Sequence, residues 1–264
     1  MLIVAERINS SRKPIAEAIS SLNKDYIQNE ARVQDEAGAD FIDVNAGTFA
    51  GDEVEKLQWV IEVVQEITEK PLCIDSADPA VIQAMVPLVK APPMINSITL
   101  EADRLEGILP VAAENKAKVI ALCQSADAMA ETVDVKLKFA EQLVEKVSAA
   151  GIPLEDLYID PLVYPVSINQ QSAVATLEAI ERIRAAFPGV HTICGLSNVS
   201  HGLPCRKLVN RSFLVAAVTR GLDSAILDPT DSALFAALKA ALVVNGKDNY
   251  CMQFLSAYRE GKLQ

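Results

Sequence analysis

Short apolar runs rich in β-branched residues alternate along the chain with longer amphipathic stretches. The runs are Leu2–Ile8, Phe41–Asn45, Leu72–Asp75, Met94–Ile98, Val119–Cys123, Leu157–Pro161, Thr192–Ser197 and Ala225–Asp228. Each is continuous rather than alternating, the pattern of a strand covered on both faces. The intervening stretches carry helical spacing. Glu53–Glu66 has apolar residues at 54, 57, 60, 61 and 64, and Asp134–Val147 and Val174–Ile183 are built alike. Asp52, Asp78 and Asp231 stand where N-caps belong, and Gly38, Gly151, Gly189 and Gly221 fall where a helix hands over to the next strand. Eight strand–helix units in about 245 residues predict a closed (β/α)8 TIM barrel, one domain over residues 1–264, with an extra C-terminal helix at Asp248–Tyr258. An open doubly wound sheet would carry a Gly-rich phosphate turn after its first strand; the turn here, RINSSRKP, has no glycine.

Composition narrows the class. With 264 residues, half of them apolar, the chain can bury a full core, and only 5% aromatics make that core aliphatic. A net charge of -11 argues against nucleic acid or an anionic membrane as partner. No stretch approaches the roughly 20 apolar residues of a membrane span, and Glu6 and Arg7 interrupt what would be a signal peptide's apolar run, so a cytoplasmic location is expected. Of the five cysteines, Cys73, Cys123 and Cys194 lie inside apolar runs and read as buried thiols, while Cys205 and Cys251 have no histidine nearby to activate them. Two histidines, His191 and His201, are too few for a His-rich metal site, and no metal ligand is assigned.

A (β/α)8 barrel carries its active site at the C-terminal ends of the strands. The residues closing the runs are Glu6 and Asn9, Asp43 and Asn45, Asp75, Asn96, Gln124, Asp160, Asn198 and Asp228. All are amides or carboxylates, with no Lys, Arg or His among them. That set excludes a Schiff-base lysine and a histidine-bound metal. It suits a neutral, flat heterocycle dense in N–H donors and ring acceptors, because a carboxylate accepts two parallel N–H bonds and an amide both donates and accepts. Single members also serve as caps and turns. Asp75 in DSADP, Asp228 in LDPTD and Asp160 before Pro161 are open to that structural reading.

Taken in order, ERIN, DVNAG, CIDSADP, MINS, LYIDPL, GLSNVS and CRKLVNRSFL resemble the pterin-binding barrels, and more closely the methyltetrahydrofolate:corrinoid methyltransferase family, over nearly the full length. The resemblance implies that Asp75, Asn96 and Asp160 hold the pterin ring, and that Asn198 sits beside N5. It also implies that Gly195, Ser197 and Arg206 lie near the ring edge and tail, with Asp43 in the same mouth. Asn198 would assist catalysis by rotating its amide, with Asp43 or Asp160 carrying a proton through water. The substrate would be tetrahydrofolate or 5-methyltetrahydrofolate, the enzyme a homodimer, and the corrinoid (cobalamin) would ride on a separate protein. The chain agrees on that point, since it has no Asp-x-His-x-x-Gly to supply a cobalt ligand.

Two loops depart from the acetogenic branch of that family: ALCQSADAMAET after strand five, and HGLPCRKL, with Lys207 where proline is expected. Both would face the corrinoid protein, so the direction of transfer stays open. Three other readings stay open as well. A dihydropteroate synthase-like enzyme would need a lysine near the end of strand seven and an Arg–His pair at strand eight, where this chain has Asn198 and ILDPTD. A non-catalytic pterin-binding subunit of a methyltransferase complex, and an acidic barrel holding Mg²⁺ at Asp43, Asp75 and Asp228, are the others.

Overall fold

In the computed structural model, which describes residues 1–126 and 130–263, eight parallel strands form one nearly closed barrel with helices between them. The strands are β1 (Leu2–Asn9), β2 (Phe41–Asn45), β3 (Leu72–Asp75), β4 (Met94–Ile98), β5 (Lys118–Leu122), β6 (Leu157–Asp160), β7 (His191–Thr192) and β8 (Ser224–Leu227). Each pairs with its sequence neighbour, and β1 also pairs with β8. Between β7 and β8 the ladder gives way to one bridge, Gly195 to Ile226, with the Ile226 N–H donating to the Cys194 carbonyl at 3.0 Å.

Alternation along the strands sets up the site. Val4, Phe41, Cys73, Met94, Ile120 and Tyr158 form one apolar cluster that plugs the barrel. Side chains two positions apart on a strand point the same way. Two residues beyond the plug stand Glu6, Asp43, Asp75, Asn96, Leu122 and Asp160, a mostly polar layer stacked on an apolar one. The opposite faces of the same strands are aliphatic. Ile42, Val44 and Ile74 pack on Leu57 and Ile61, and Ile95, Val119 and Ile159 on Ile108 and Leu143. Each such side chain stabilises the fold by about 1.5–3 kcal/mol on leaving water.

Helix boundaries follow local chemistry. Asp78 accepts from the Ala80 N–H at 2.8 Å with Pro79 opening the helix, and Asp231 accepts from Leu234 at 3.1 Å. Asp52 occupies its N-cap position without a side-chain bond. Gly38 and Gly221 leave their helices at φ +93° and +105°, where any Cβ would be strained. The extra C-terminal element is a short 3-10 turn, Asn249–Cys251, running into the helix Met252–Arg259. Among the described residues, no helix is long and apolar enough to cross a membrane.

One element differs from expectation. The seventh strand is only two residues long, and the segment read as its second half turns into a 3-10 helix, Leu196–Ser200. Beyond Thr192 the Gly195 N–H turns to the Asp160 carboxylate at 3.4 Å, and the 3-10 helix begins at the next residue.

Candidate functional site

A cavity of about 600 Å³ opens at the C-terminal ends of the strands. Its inner wall is Glu6, Asp43, Asp75 and Asn96 from β1 to β4, faced by Gly195, Ser197 and Asn198 from the segment after β7. Arg12, Arg206, Lys207 and Asn210 stand around it as well. Ile226 is the one large apolar side chain among its described lining residues. Its size suits a small organic ligand, but its polarity is unusual, since such pockets are mostly apolar.

The absence of basic side chains expected from the strand ends needs correction, because Arg7 also lines this cavity. In the pairing of β1 with β2 the register shifts between Ala5 and Ile8, so one extra residue is accommodated and Glu6 and Arg7 both turn to the mouth. Arg7 is fully engaged, with Nε 2.7 Å from Glu30, Nη1 3.1 Å from Asp228, and a further bond to Thr230 at 2.8 Å. Asp228 also accepts the N–H and hydroxyl of Thr230, so it does the work of a turn and an ion pair.

The remaining acids are crowded and short of donors. Asp43 is buried, and one of its oxygens, Oδ1, has no hydrogen-bond partner. Burial, and then the charge of Asp75, push its carboxyl well above the usual range, partly offset by Cys73 and Asn96. Burial lifts Asp75 to about 6, opposed by Asn45, whose Nδ2 donates to its Oδ2 at 3.1 Å. Glu6 rises to about 7 through burial and the nearby Asp228. A second orphan acceptor, Asn210 Oδ1, is buried beside the same cavity. A wall of proton-hungry carboxylates with two unpartnered oxygens calls for a ligand that brings N–H groups.

Asp160 lies deeper and is not among the residues lining the cavity. Its Oδ1 accepts the Leu162 N–H at 2.8 Å, the Asp–Pro turn foreseen for it, and its Oδ2 reaches Gly195. Burial raises it to about 6 against those two N–H groups and Lys136. Arg206 donates to the Ser197 carbonyl at 2.8 Å and to the Ser200 hydroxyl at 3.1 Å, so it braces the turn that carries Asn198. Asn198 itself is exposed toward the opening.

A family model described as pterin binding enzyme matches residues 5–228. The chain belongs to the pterin-binding enzymes. This pterin-binding barrel is 35% identical, over its whole length and 98% of the relative's, to the methylcorrinoid:tetrahydrofolate methyltransferase of Eubacterium limosum. It is 28% identical over 240 residues to the methionine synthase of Mycobacterium tuberculosis, a match covering 86% of this chain and 20% of that longer protein. Among solved structures it is similar to the dihydropteroate synthase of Yersinia pestis, with a TM-score of 0.69, 18% identity and 93% of each chain covered, a likeness of fold.

Of the residues expected to bind in this pterin-binding enzyme, the fold gathers Asp43, Asp75, Asn96, Gly195, Ser197, Asn198 and Arg206 around one cavity, with Asp160 beneath. Arg12 and Asn210 were missed. The only signal for Asn210 was its place one helical turn after Arg206, on the same face. The cysteines in the apolar runs, Cys73, Cys123 and Cys194, are buried and unbridged. Neither histidine lines the cavity, and among the described residues no group of three or more His, Cys, Asp or Glu is arranged to hold a metal ion. Of the two rim loops singled out in the sequence, Lys207 lines the cavity and pairs with Asp231 at 3.2 Å, while part of ALCQSADAMAET, residues 127–129, lies outside the described residues.

Proposed function

We propose that this chain is a single-domain, cytoplasmic methyltransferase, a homodimer that moves a methyl group between the cobalt of a corrinoid and N5 of tetrahydrofolate, with the corrinoid carried by a separate protein. The observation that carries the ligand is the pair of orphan acceptors, Asp43 Oδ1 and Asn210 Oδ1, in a wall of amides and carboxylates. The amino-amidine edge of a pterin supplies parallel N–H donors that suit Asp75 and Asp43, with the Asn96 amide able to meet ring acceptors and Asp160 closing the site from below. The full-length likeness to the Eubacterium limosum enzyme supports the reaction. The lining holds no histidine to ligate cobalt, which fits a corrinoid brought by a partner to the open mouth.

A corrinoid brought to the mouth would supply the cobalt–carbon bond, or the nucleophilic cobalt, for the exchange at N5. The chain's own task is the proton. When the methyl carbon is transferred to tetrahydrofolate, N5 becomes a protonated tertiary amine and must release H⁺. In the opposite direction N5 must gain a proton before it leaves carbon. Asn198 can accept from N5–H⁺ through its oxygen or donate to the nitrogen lone pair through its amide, stabilising either state without fixing one. Glu6, lifted to about 7 by burial, can exchange that proton through water near neutral pH, with Asp43, pushed up in the same sense, beside it. Holding both reactants in line lowers the barrier by up to about 7–11 kcal/mol.

The test mixes the protein with methylcobalamin and tetrahydrofolate and follows the methyl-cobalt spectrum while 5-methyltetrahydrofolate is quantified. Saturable formation of that product is expected. Tetrahydrofolate binding without product would identify a non-catalytic binding subunit, and dihydropteroate made from pterin pyrophosphate and p-aminobenzoate would identify a synthase.

A further inference from the structure

Lys136 stands in the first turn of the helix Val133–Ala149 and is completely buried. A buried ammonium is tolerated only when its three N–H groups are met. Here Nζ donates to the Pro161 carbonyl at 2.5 Å and the Leu162 carbonyl at 2.7 Å, and sits 5.4 Å from the centre of the Tyr164 ring. Its partners belong to the turn that follows Asp160. Leu162 is left-handed at φ +57°, a conformation that a Cβ-bearing residue adopts only when held. Lys136 holds its carbonyl from one side and Thr176 Oγ1, at 3.0 Å, from another. So held, Leu162 returns its N–H to Asp160 Oδ1 at 2.8 Å, while Asp160 Oδ2 takes the Gly195 N–H, three residues before Asn198.

We propose that Lys136 is a positioning residue for the methyl-transfer site: by clamping the Pro161–Leu162 turn it sets the Asp160 carboxylate toward the pterin and, through Gly195, the segment that bears Asn198. The proposal rests on the reading of Asp160 as a pterin-binding group. Lys136 also acts by charge. Around Asp160 stand Lys136 from the helix, with Glu131 just ahead of it, the Cys123 thiol after β5, the Cys194 thiol after β7 and the Tyr164 hydroxyl after β6. Burial pushes both thiols and the phenol up, so they stay neutral near pH 7. After the Leu162 and Gly195 N–H groups, Lys136 is then the cation that favours the ionised Asp160 against its burial.

The experiment titrates tetrahydrofolate calorimetrically from about pH 5.5 to 8.5 into wild type, Lys136→Met, Lys136→Arg, Asp160→Asn and the Lys136→Met/Asp160→Asn double variant, with Tm recorded for each. We expect Lys136→Met to weaken binding about tenfold at neutral pH. The pH at which binding fails should rise by about one unit, because losing the cation makes Asp160 easier to protonate. Lys136→Arg should restore both, and in the Asp160→Asn background Lys136→Met should leave the pH profile unmoved. A lowered Tm with an unmoved pH profile in the single Lys136→Met variant would overturn the proposal. Wild-type affinity in Asp160→Asn would instead remove the reading it rests on. If Lys136→Met does not fold, the NMR signal of the Lys136 Cε carbon in wild type decides: tetrahydrofolate must shift it, and an unchanged signal at saturation overturns the proposal.

Discussion

At the N-terminal end of the strands, Asp223 accepts from the Thr192 N–H at 3.0 Å, lies 2.7 Å from His191 Nδ1 and pairs with Arg184 at 3.1 Å. The His191 ring stacks on Tyr158 with centroids 4.8 Å apart, and Lys118, paired to Asp156 at 2.6 Å, sits 5.6 Å from that tyrosine's ring centre. Every charged group there has a partner within the fold, although one buried oxygen, Thr192 Oγ1, has none. Against its burial, His191, the Thr192 N–H and Arg184 hold the Asp223 carboxyl below its usual range. At the other end of the same strands, Glu6, Asp43 and Asp75 are pushed up, and Asp43 and Asn210 each keep a buried oxygen without a donor. The ingredients are alike, but the carboxyls are pushed in opposite directions. A cluster saturated in its charge pairing stabilises the barrel, whereas a mouth short of donors gives up stability that a ligand can return.

The strongest way to sharpen that contrast is to change the mouth where chemistry, rather than binding, is expected to feel it. Asn198→Ala should cut single-turnover methyl transfer by about 10²-fold or more, the cost of removing one transition-state hydrogen bond, near 3 kcal/mol, while tetrahydrofolate affinity moves far less. Methyl transfer close to wild type would remove Asn198 from the mechanism and leave the mouth a binding site only. The complementary change is Asp223→Asn at the saturated end. Losing charge-assisted bonds to His191 and Arg184 should cost about 2 kcal/mol and lower the Tm by roughly 5 °C, with kcat/KM unchanged. A matching loss of activity would show that the two ends are coupled and break the distinction.

Those contrasts were unevenly visible in the sequence. The barrel was legible because strands buried on both faces read as unbroken apolar runs, and Asp43, Asp75 and Asn96 were legible because each closes, or nearly closes, such a run. Asp78 and Asp231 announced their helices by cap chemistry that is wholly local. What stayed hidden depends on contacts distant in sequence. The turn after β7 meets Asp160, 35 residues before Gly195, and nothing in LIVAERIN marks the register shift that brings Arg7 into the cavity. Lys136 and Asn210 were obscure for a simpler reason. A polar residue within an amphipathic helix reads as solvated, and only the packed structure reveals that Lys136 is sealed and that Asn210 faces the site.

The smallest effect expected is a slope of stability against pH, and it tests the whole mouth at once. An acid whose folded pKa is raised binds its proton in the folded state while the unfolded chain, near pH 4, has already released it, so stability falls as pH rises through the window between the two values. Glu6 at about 7 and Asp75 and Asp160 at about 6 place that window from above pH 4 to just over pH 7, with Asp43 acting in the same sense. From pH 6 to pH 8 the ligand-free protein should lose about 1 kcal/mol, or roughly 3 °C in Tm, per pH unit. Asp223 has the opposite sign: its lowered pKa gives stability that is present above about pH 4 and lost only on stronger acidification, so the saturated end leaves this slope untouched. Saturating tetrahydrofolate should flatten the slope, because N–H donors reaching the acids favour their ionised forms and undo the shift. Thermal melts across this range, with and without tetrahydrofolate, check both statements. A ligand-free protein equally stable at pH 6 and pH 8 would mean that the carboxylates of the mouth are already satisfied, and the contrast between the two ends would rest on geometry alone.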